Sequence, residues 1–190
     1  MMKRILFISG FALLLILAAC GDKFESNMSR DIPDIAYTDQ NGETVELDDL
    51  KGKWWVADLI FTNCETVCIP MTLNMLKIQE QAAEKGLDVN FLSFSVDPEY
   101  DSPEVLREYA DEYSVDLDNW TFLTGYEFET IQEIAEETFL TGVQKEANSD
   151  QVNHGTRFYL INPEGKVIKH YSGLELDALE KIIEDLDNVL

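Results

Sequence analysis

Apolar residues alternate, cluster and repeat along the chain in patterns that mark its elements one after another. A mostly apolar stretch at 5–17 follows Met1-Met2-Lys3-Arg4, and the chain turns polar after Cys20. Between Ile35 and Leu47, two short strand-like runs flank Gln40-Asn41-Gly42-Glu43, and Asn-Gly in that setting predicts a tight hairpin. Lys53–Thr62 (KWWVADLIFT) is nearly continuous in apolar residues, as in a strand covered on both faces. From about Met71 to Lys85 the period changes to that of a helix, closed by Gly86. Val89–Val96 (VNFLSFSV) reads as a second buried strand, broken by Asp97-Pro98. Ser102-Pro103-Glu104 joins a cap residue to proline at the first helical position and opens a helix to about Tyr113. A third strand at Trp120–Leu123 and a helix from Glu127 to about Phe139 follow. Gly142–Asn153 is polar, without a period, and long enough to be a functional loop. Thr156–Ile161 and Lys166–Tyr171 flank Asn162-Pro163-Glu164-Gly165 as a second hairpin, and a last helix covers about Glu175–Val189.

Strands alternating with helices imply an α/β layer structure around a central sheet. The terminal strands, joined by a tight turn, run antiparallel, so the sheet is mixed. A β-α-β start, a terminal hairpin and a closing helix describe a thioredoxin-like fold. The N-terminal β-hairpin and the helix at 102–113 are insertions relative to its minimal form.

Composition adds a compartment and removes a class of partners. With 190 residues, 45% of them hydrophobic, there is material for one domain with a real core. The 37 Asp and Glu outnumber the 14 Lys and Arg, for a formal charge of −23. Nucleic acid is thereby excluded as a partner, because binding phosphate needs a cationic footprint. Attachment to anionic lipid by charge is excluded for the same reason. The apolar stretch at 5–17 is short for a membrane span and fits the h-region of a signal peptide. Small residues ahead of Cys20 resemble the lipobox of bacterial lipoproteins, in which that cysteine is lipidated and becomes the mature N-terminus. The expected organisation is therefore a leader at 1–19, a lipidated tether at 20–32 and a folded domain at 33–190. Such a chain would sit on the extracytoplasmic face of the bacterial cell membrane, held by lipid on Cys20.

If Cys20 carries lipid, Cys64 and Cys68 are the thiols of an exported domain, where a pair is free to oxidise. Their i, i+4 spacing, if helical, sets both sulfurs on one face, within reach of a disulfide or of one shared metal ion. Placement between a strand and a helix adds the positive end of the helix dipole, which favours thiolate. Redox chemistry, soft-metal binding and both together are open at this point. His154, at the end of the polar loop, is the third candidate, because a thioredoxin-like topology brings that loop near the start of the first long helix. Two thiolates and one imidazole suit copper, as Cu(I) or Cu(II), whereas zinc usually takes a fourth ligand.

The ordered set Phe61-Thr62-Asn63-Cys64-Glu65-Thr66-Val67-Cys68, Pro70-Met71-Thr72, Ser95-Val96-Asp97-Pro98 with Asp101 and Pro103, and His154 ahead of Phe158-Tyr159-Leu160 resembles the Sco/SenC proteins. These are exported, membrane-anchored, thioredoxin-like proteins that help assemble the copper centre of cytochrome c oxidase. The resemblance implies copper as cofactor, with Cys64, Cys68 and His154 as its ligands and the oxidase's copper-bearing subunit as partner. It implies a metallochaperone more than an enzyme. The alternative is a thiol–disulfide oxidoreductase that keeps the oxidase's own cysteines reduced, with Cys64 attacking and Cys68 resolving through a Cys64–Cys68 disulfide. One departure is visible: Ile69 stands where the family usually has proline, with Pro70 retained.

Other residues have plainer readings. Asp97 is a candidate to orient His154 or lend an oxygen to Cu(II), with a turn role as the alternative; Asp101 shares that ambiguity. Met71 and Met75, four apart on a helix, read as core filling before thioether ligands. His170 reads as a solvated side chain.

Overall fold

The computed structural model of the chain describes residues 24–64 and 66–190. The expected leader at 1–19 and Cys20 lie outside the described residues.

Eight strands form one mixed sheet: β1 (Arg30–Asp31), β2 (Ala36–Asp39), β3 (Thr44–Glu46), β4 (Trp54–Ile60), β5 (Val89–Ser95), β6 (Trp120–Thr124), β9 (Arg157–Ile161) and β10 (Lys166–Ser172), in the spatial order β1-β10-β9-β4-β5-β6-β2-β3. Strands β4, β5 and β6 are parallel, and the flanking pairs are antiparallel. A separate two-stranded ribbon, β7 (Gln144–Lys145) with β8 (Val152–Asn153), stands beside the sheet. The helices are α1 (Leu47–Leu50), α2 (Cys68–Lys85), α3 (Pro103–Tyr113), α4 (Phe128–Glu137) and α5 (Leu176–Val189). This is the thioredoxin-like α/β architecture expected, with the N-terminal hairpin (β2–β3) and α3 as its additions.

Strand β4 shows why the sheet is buried on both sides. Trp55, Ala57 and Leu59 face one core, shared with Ile131, Ile134 and Ala135 of α4. Val56 and Ile60 alternate to the other, where Met71, Met75 and Ile78 of α2, Leu106 of α3 and Ile182 of α5 pack. The near-continuous apolar run at 53–62 is the consequence of that double cover.

Differences from the expectations are local. Helix α2 begins at Cys68, three residues before its apolar period becomes visible, because Ile69 and Pro70 of its first turn face solvent. It ends as expected at Gly86, whose φ of 68° is a left-handed cap that glycine adopts without strain. The stretch at 142–153 is not structureless: it folds back as the β7–β8 ribbon. At the N-terminal side, Asn27 and Met28 donate their N–H groups to Ile168, and β1 pairs with β10. The described part of the 20–32 segment is therefore docked along the sheet edge. Among the described residues no helix is long and apolar enough to cross a membrane.

Candidate metal centre

Strand β4 ends at Ile60, and the turn that follows carries Cys64 into the first residue of α2, Cys68. Cys64 thus precedes the helix, and the two sulfurs meet across its N-terminus, not along one helical face. The Cys68 N–H points at Cys64 Sγ, 3.4 Å away, so an otherwise unpaired first-turn donor faces sulfur. Cys64 Sγ also lies 3.8 Å from Thr66 Oγ1. Both cysteines are buried and free.

Buried Asp101 holds the base of this turn. Its carboxylate accepts hydrogen bonds from Thr62 Oγ1 and Ser95 Oγ, each at 2.6 Å, and from the Thr62 N–H. Asp101 is thus a structural clasp between the end of β4, the end of β5 and the start of α3. The far wall is the β7–β8 ribbon, tied to the turn by Asn63 Nδ2 donating to Asp150 at 2.8 Å and Gln151 Nε2 donating to the Asn63 carbonyl at 2.9 Å.

The ribbon leads into His154. Its Nδ1 lies 3.0 Å from the Gly155 carbonyl oxygen, which can only accept, so Nδ1 carries the proton. The Nε2 lone pair is then directed at Cys68 Sγ, 3.3 Å away. Phe61 packs edge-on against the imidazole at 5.8 Å, fixing its plane from the strand side. Gly155 permits this placement: a Cβ there would lie 2.2 Å from Thr141 Oγ1. The donor atoms of Cys64, Cys68 and His154 lie within 4.8 Å of one another, and among the described residues no other Cys, His, Asp or Glu joins them. A soft, three-donor set of this kind fits a soft ion better than zinc or a hard divalent cation.

Electrostatics separates the two sulfurs. The Cys68 side chain beside it holds the Cys64 thiol far below the usual thiol range, with His154 adding in the same direction against burial. The same contact, followed by burial, pushes Cys68 up. One proton shared by two close sulfurs makes the first ionisation easy and the second hard. A bound cation replaces that second proton.

The other candidates fall outside the triangle. Asp97 makes no hydrogen bond to His154, whose Nδ1 turns to Gly155, and it lines a neighbouring pocket. Met71 and Met75 are wholly buried in the core. His170 pairs through Nδ1 with Asn27 Oδ1 at 2.9 Å, on the strand that receives the N-terminal segment. Phe61, Asn63 and Thr66 belong to the motif around the cysteines, but their contacts with His154, Asp150 and Cys64, and the close approach of Gly155 to Thr141, emerge only from the fold.

Fold and site together define a thioredoxin-like protein with a dithiol and an imidazole converging where its first long helix begins. The chain belongs to the SCO1/SenC family, whose family model matches residues 27–190. Among solved structures, a SCO1/SenC family lipoprotein from Bacillus anthracis str. Ames is 48% identical with a TM-score of 0.81, over 84% of this chain and 95% of that one. BsSco, described as a member of the Sco family of cytochrome c oxidase assembly proteins and as containing a disulfide switch, is 42% identical with a TM-score of 0.78, over 86% and 96%. Arabidopsis thaliana ScoI, solved with copper bound, is 25% identical with a TM-score of 0.69, over 81% and 96%.

Proposed function

We propose that this chain binds one copper ion through Cys64 Sγ, Cys68 Sγ and His154 Nε2. It carries that ion as cargo to the copper-bearing subunit of cytochrome c oxidase during assembly of the oxidase. The observation that carries the reading is the convergence of two thiols and one correctly oriented imidazole nitrogen within 4.8 Å. Membership of the family, the role stated for BsSco and the copper bound to Arabidopsis thaliana ScoI support it. In the same reading residues 1–19 are a leader removed on export and Cys20 carries lipid. The domain, 33–190 with the docked segment before it, works at the extracytoplasmic membrane face; the lipoprotein from Bacillus anthracis supports this placement.

Reduced thiols bind the metal, and loss of two electrons and two protons to a Cys64–Cys68 disulfide removes both sulfur ligands. The contrast between the two sulfurs favours a second reading, thiol–disulfide exchange on the oxidase's cysteines. Cys64, the readily ionised thiol, attacks first, and Cys68 resolves the mixed disulfide.

Copper titration of the reduced protein, followed by absorption and EPR, tests the first reading. One equivalent is expected to bind tightly, with a thiolate-to-copper(II) band, and His154→Ala is expected to weaken binding at least tenfold and change that band. A His154→Ala protein with unchanged affinity and spectrum would overturn the three-ligand site. Turnover on a disulfide substrate by that variant, with an added dithiol to re-reduce Cys64–Cys68, after copper binding is lost, would favour the exchange reading.

A further inference from the structure

Beside the thiol site, the β7–β8 ribbon walls a second pocket of about 330 Å³ between itself and the turn after β5, with Asp97, Glu99, Tyr100, Lys145 and Asp150 on its surface. Asp97 is only 9% exposed. Its backbone is fixed, the N–H donating to Ser95 Oγ at 3.1 Å and the carbonyl accepting from Tyr100 and Asp101. Its carboxylate, however, has no hydrogen bond or ion pair among the described residues, and it faces the pocket. The side chain is thus walled in while its oxygens open onto the pocket, where a donor that enters can reach them.

The cation already present does not fill that need. Lys145 is committed to Glu99 at 2.5 Å and lies over the Phe128 ring at 4.7 Å. Asp150 receives neutral donors, Asn63, Gln151 and its own backbone N–H, and no cation pairs with it among the described residues. Burial pushes the Asp97 carboxyl up, Lys145 pulls the other way, and Glu99 and Asp150 add to the rise. A metal ion is a poor candidate, because these carboxylates do not converge as a ligand group, whereas Cys64, Cys68 and His154 do. A planar guanidinium asks for less: one carboxylate for its two parallel N–H groups, a second anion nearby, and an aromatic face. Tyr100, 54% exposed at the rim, offers that face.

We propose that this pocket receives an arginine side chain of a docking protein, with Asp97 as its bidentate acceptor, Asp150 as the second anion and Tyr100 stacking on the guanidinium. Ser149, Gln151 and Val152 line both this pocket and the opening over Cys64 and His154. An arginine seated here therefore sets its own chain across the metal site. That the docking chain is the one receiving copper rests on the function proposed above; the pocket's preference for arginine does not.

Titration of the reduced protein with N-acetyl-arginine amide at low ionic strength, followed by amide NMR, tests the pocket. Saturable shifts are expected at 97–100 and 145–151. N-acetyl-citrulline amide, of the same shape without charge, is expected to bind at least tenfold more weakly, and the lysine derivative several-fold more weakly. Asp97→Asn should lose at least tenfold; Asp150→Asn, at an exposed position, should lose about threefold and serves if the first variant fails to fold. The double variant Cys64→Ser, Cys68→Ser should lose copper and keep the arginine shifts, which separates failure of this pocket from failure of the metal site. Equal binding of the citrulline or lysine derivative, shifts elsewhere, or wild-type affinity in both aspartate variants would overturn the proposal.

Discussion

On the face of β4 that α2 covers, between Val56 and Ile60, the Asp58 carboxyl is fully buried and accepts one hydrogen bond, from Ser93 Oγ at 2.7 Å. Ser93 in turn accepts from Trp120 Nε1 at 2.9 Å, and the second Asp58 oxygen has no partner. Burial pushes this carboxyl up to about 7, with Ser93 and then His154 pulling the other way. Between about pH 4 and pH 7 the unfolded chain has released a proton that the folded chain keeps, so stability falls through that window and levels off above it. Asp58→Asn keeps the acceptor for Ser93 and cannot ionise. Its stability relative to wild type should therefore climb from pH 4 to pH 8, by at most about 4 kcal/mol at about 1.4 kcal/mol per unit. Urea unfolding at pH 4, 5 and 8 measures this, and a difference independent of pH would show that Asp58 does not hold its proton. Nothing in the run KWWVADLIFT distinguishes this aspartate from a strand residue facing water. The partners that matter to it, Ser93 and Trp120, come from two other strands.

The elements around the site were legible in proportion to the apolar face they bury. Strands β4 and β5 and helix α3 stand out in the chain because each presents a sustained apolar face or a clear cap. The first turn of α2 does not, since Ile69 is 42% exposed and Pro70 also faces solvent. That exposure leaves room at 69 for the proline that the family resemblance implies there. The Ile69 N–H belongs to the first turn, where no intrahelical carbonyl is available. Ile69→Pro should leave copper affinity unchanged and raise stability by about 0.5–1 kcal/mol by restricting the unfolded chain, as read from the unfolding midpoint. The β7–β8 ribbon was invisible because each of its strands has two residues, too few for any period. Its exit into His154 depends on the close approach of Gly155 to Thr141. Gly155→Ala should cost about 1–3 kcal/mol by overpacking and weaken copper binding at least tenfold by displacing the imidazole. Thermal melting and copper titration of that variant separate the two effects, and an unchanged titration would show that the loop absorbs the methyl group.

Across the whole molecule, acidity is the property that composition made plainest and the fold leaves least compensated. Six ion pairs join described residues, and only Lys169–Asp185 at 2.6 Å has both side chains mostly covered. With a formal charge of −23, repulsion between like charges outweighs such pairs. Raising NaCl from 10 to 300 mM should therefore raise Tm by several degrees through screening, as measured by calorimetry; a falling Tm would mean that attraction dominates. Two of the three metal donors, Cys68 and His154, stand 86 positions apart. The thiols come from the first half of the chain, and the imidazole arrives only when the ribbon and terminal hairpin have joined the sheet. A chain still folding therefore offers a loose dithiol, and only a finished one offers the full chelate. Copper bound to the triad would bridge early and late parts of the chain, stabilising the native state in proportion to the affinity gained. In the delivery role proposed above, metal loading would thus serve as a checkpoint on maturation, selecting complete molecules and passing over unfinished ones.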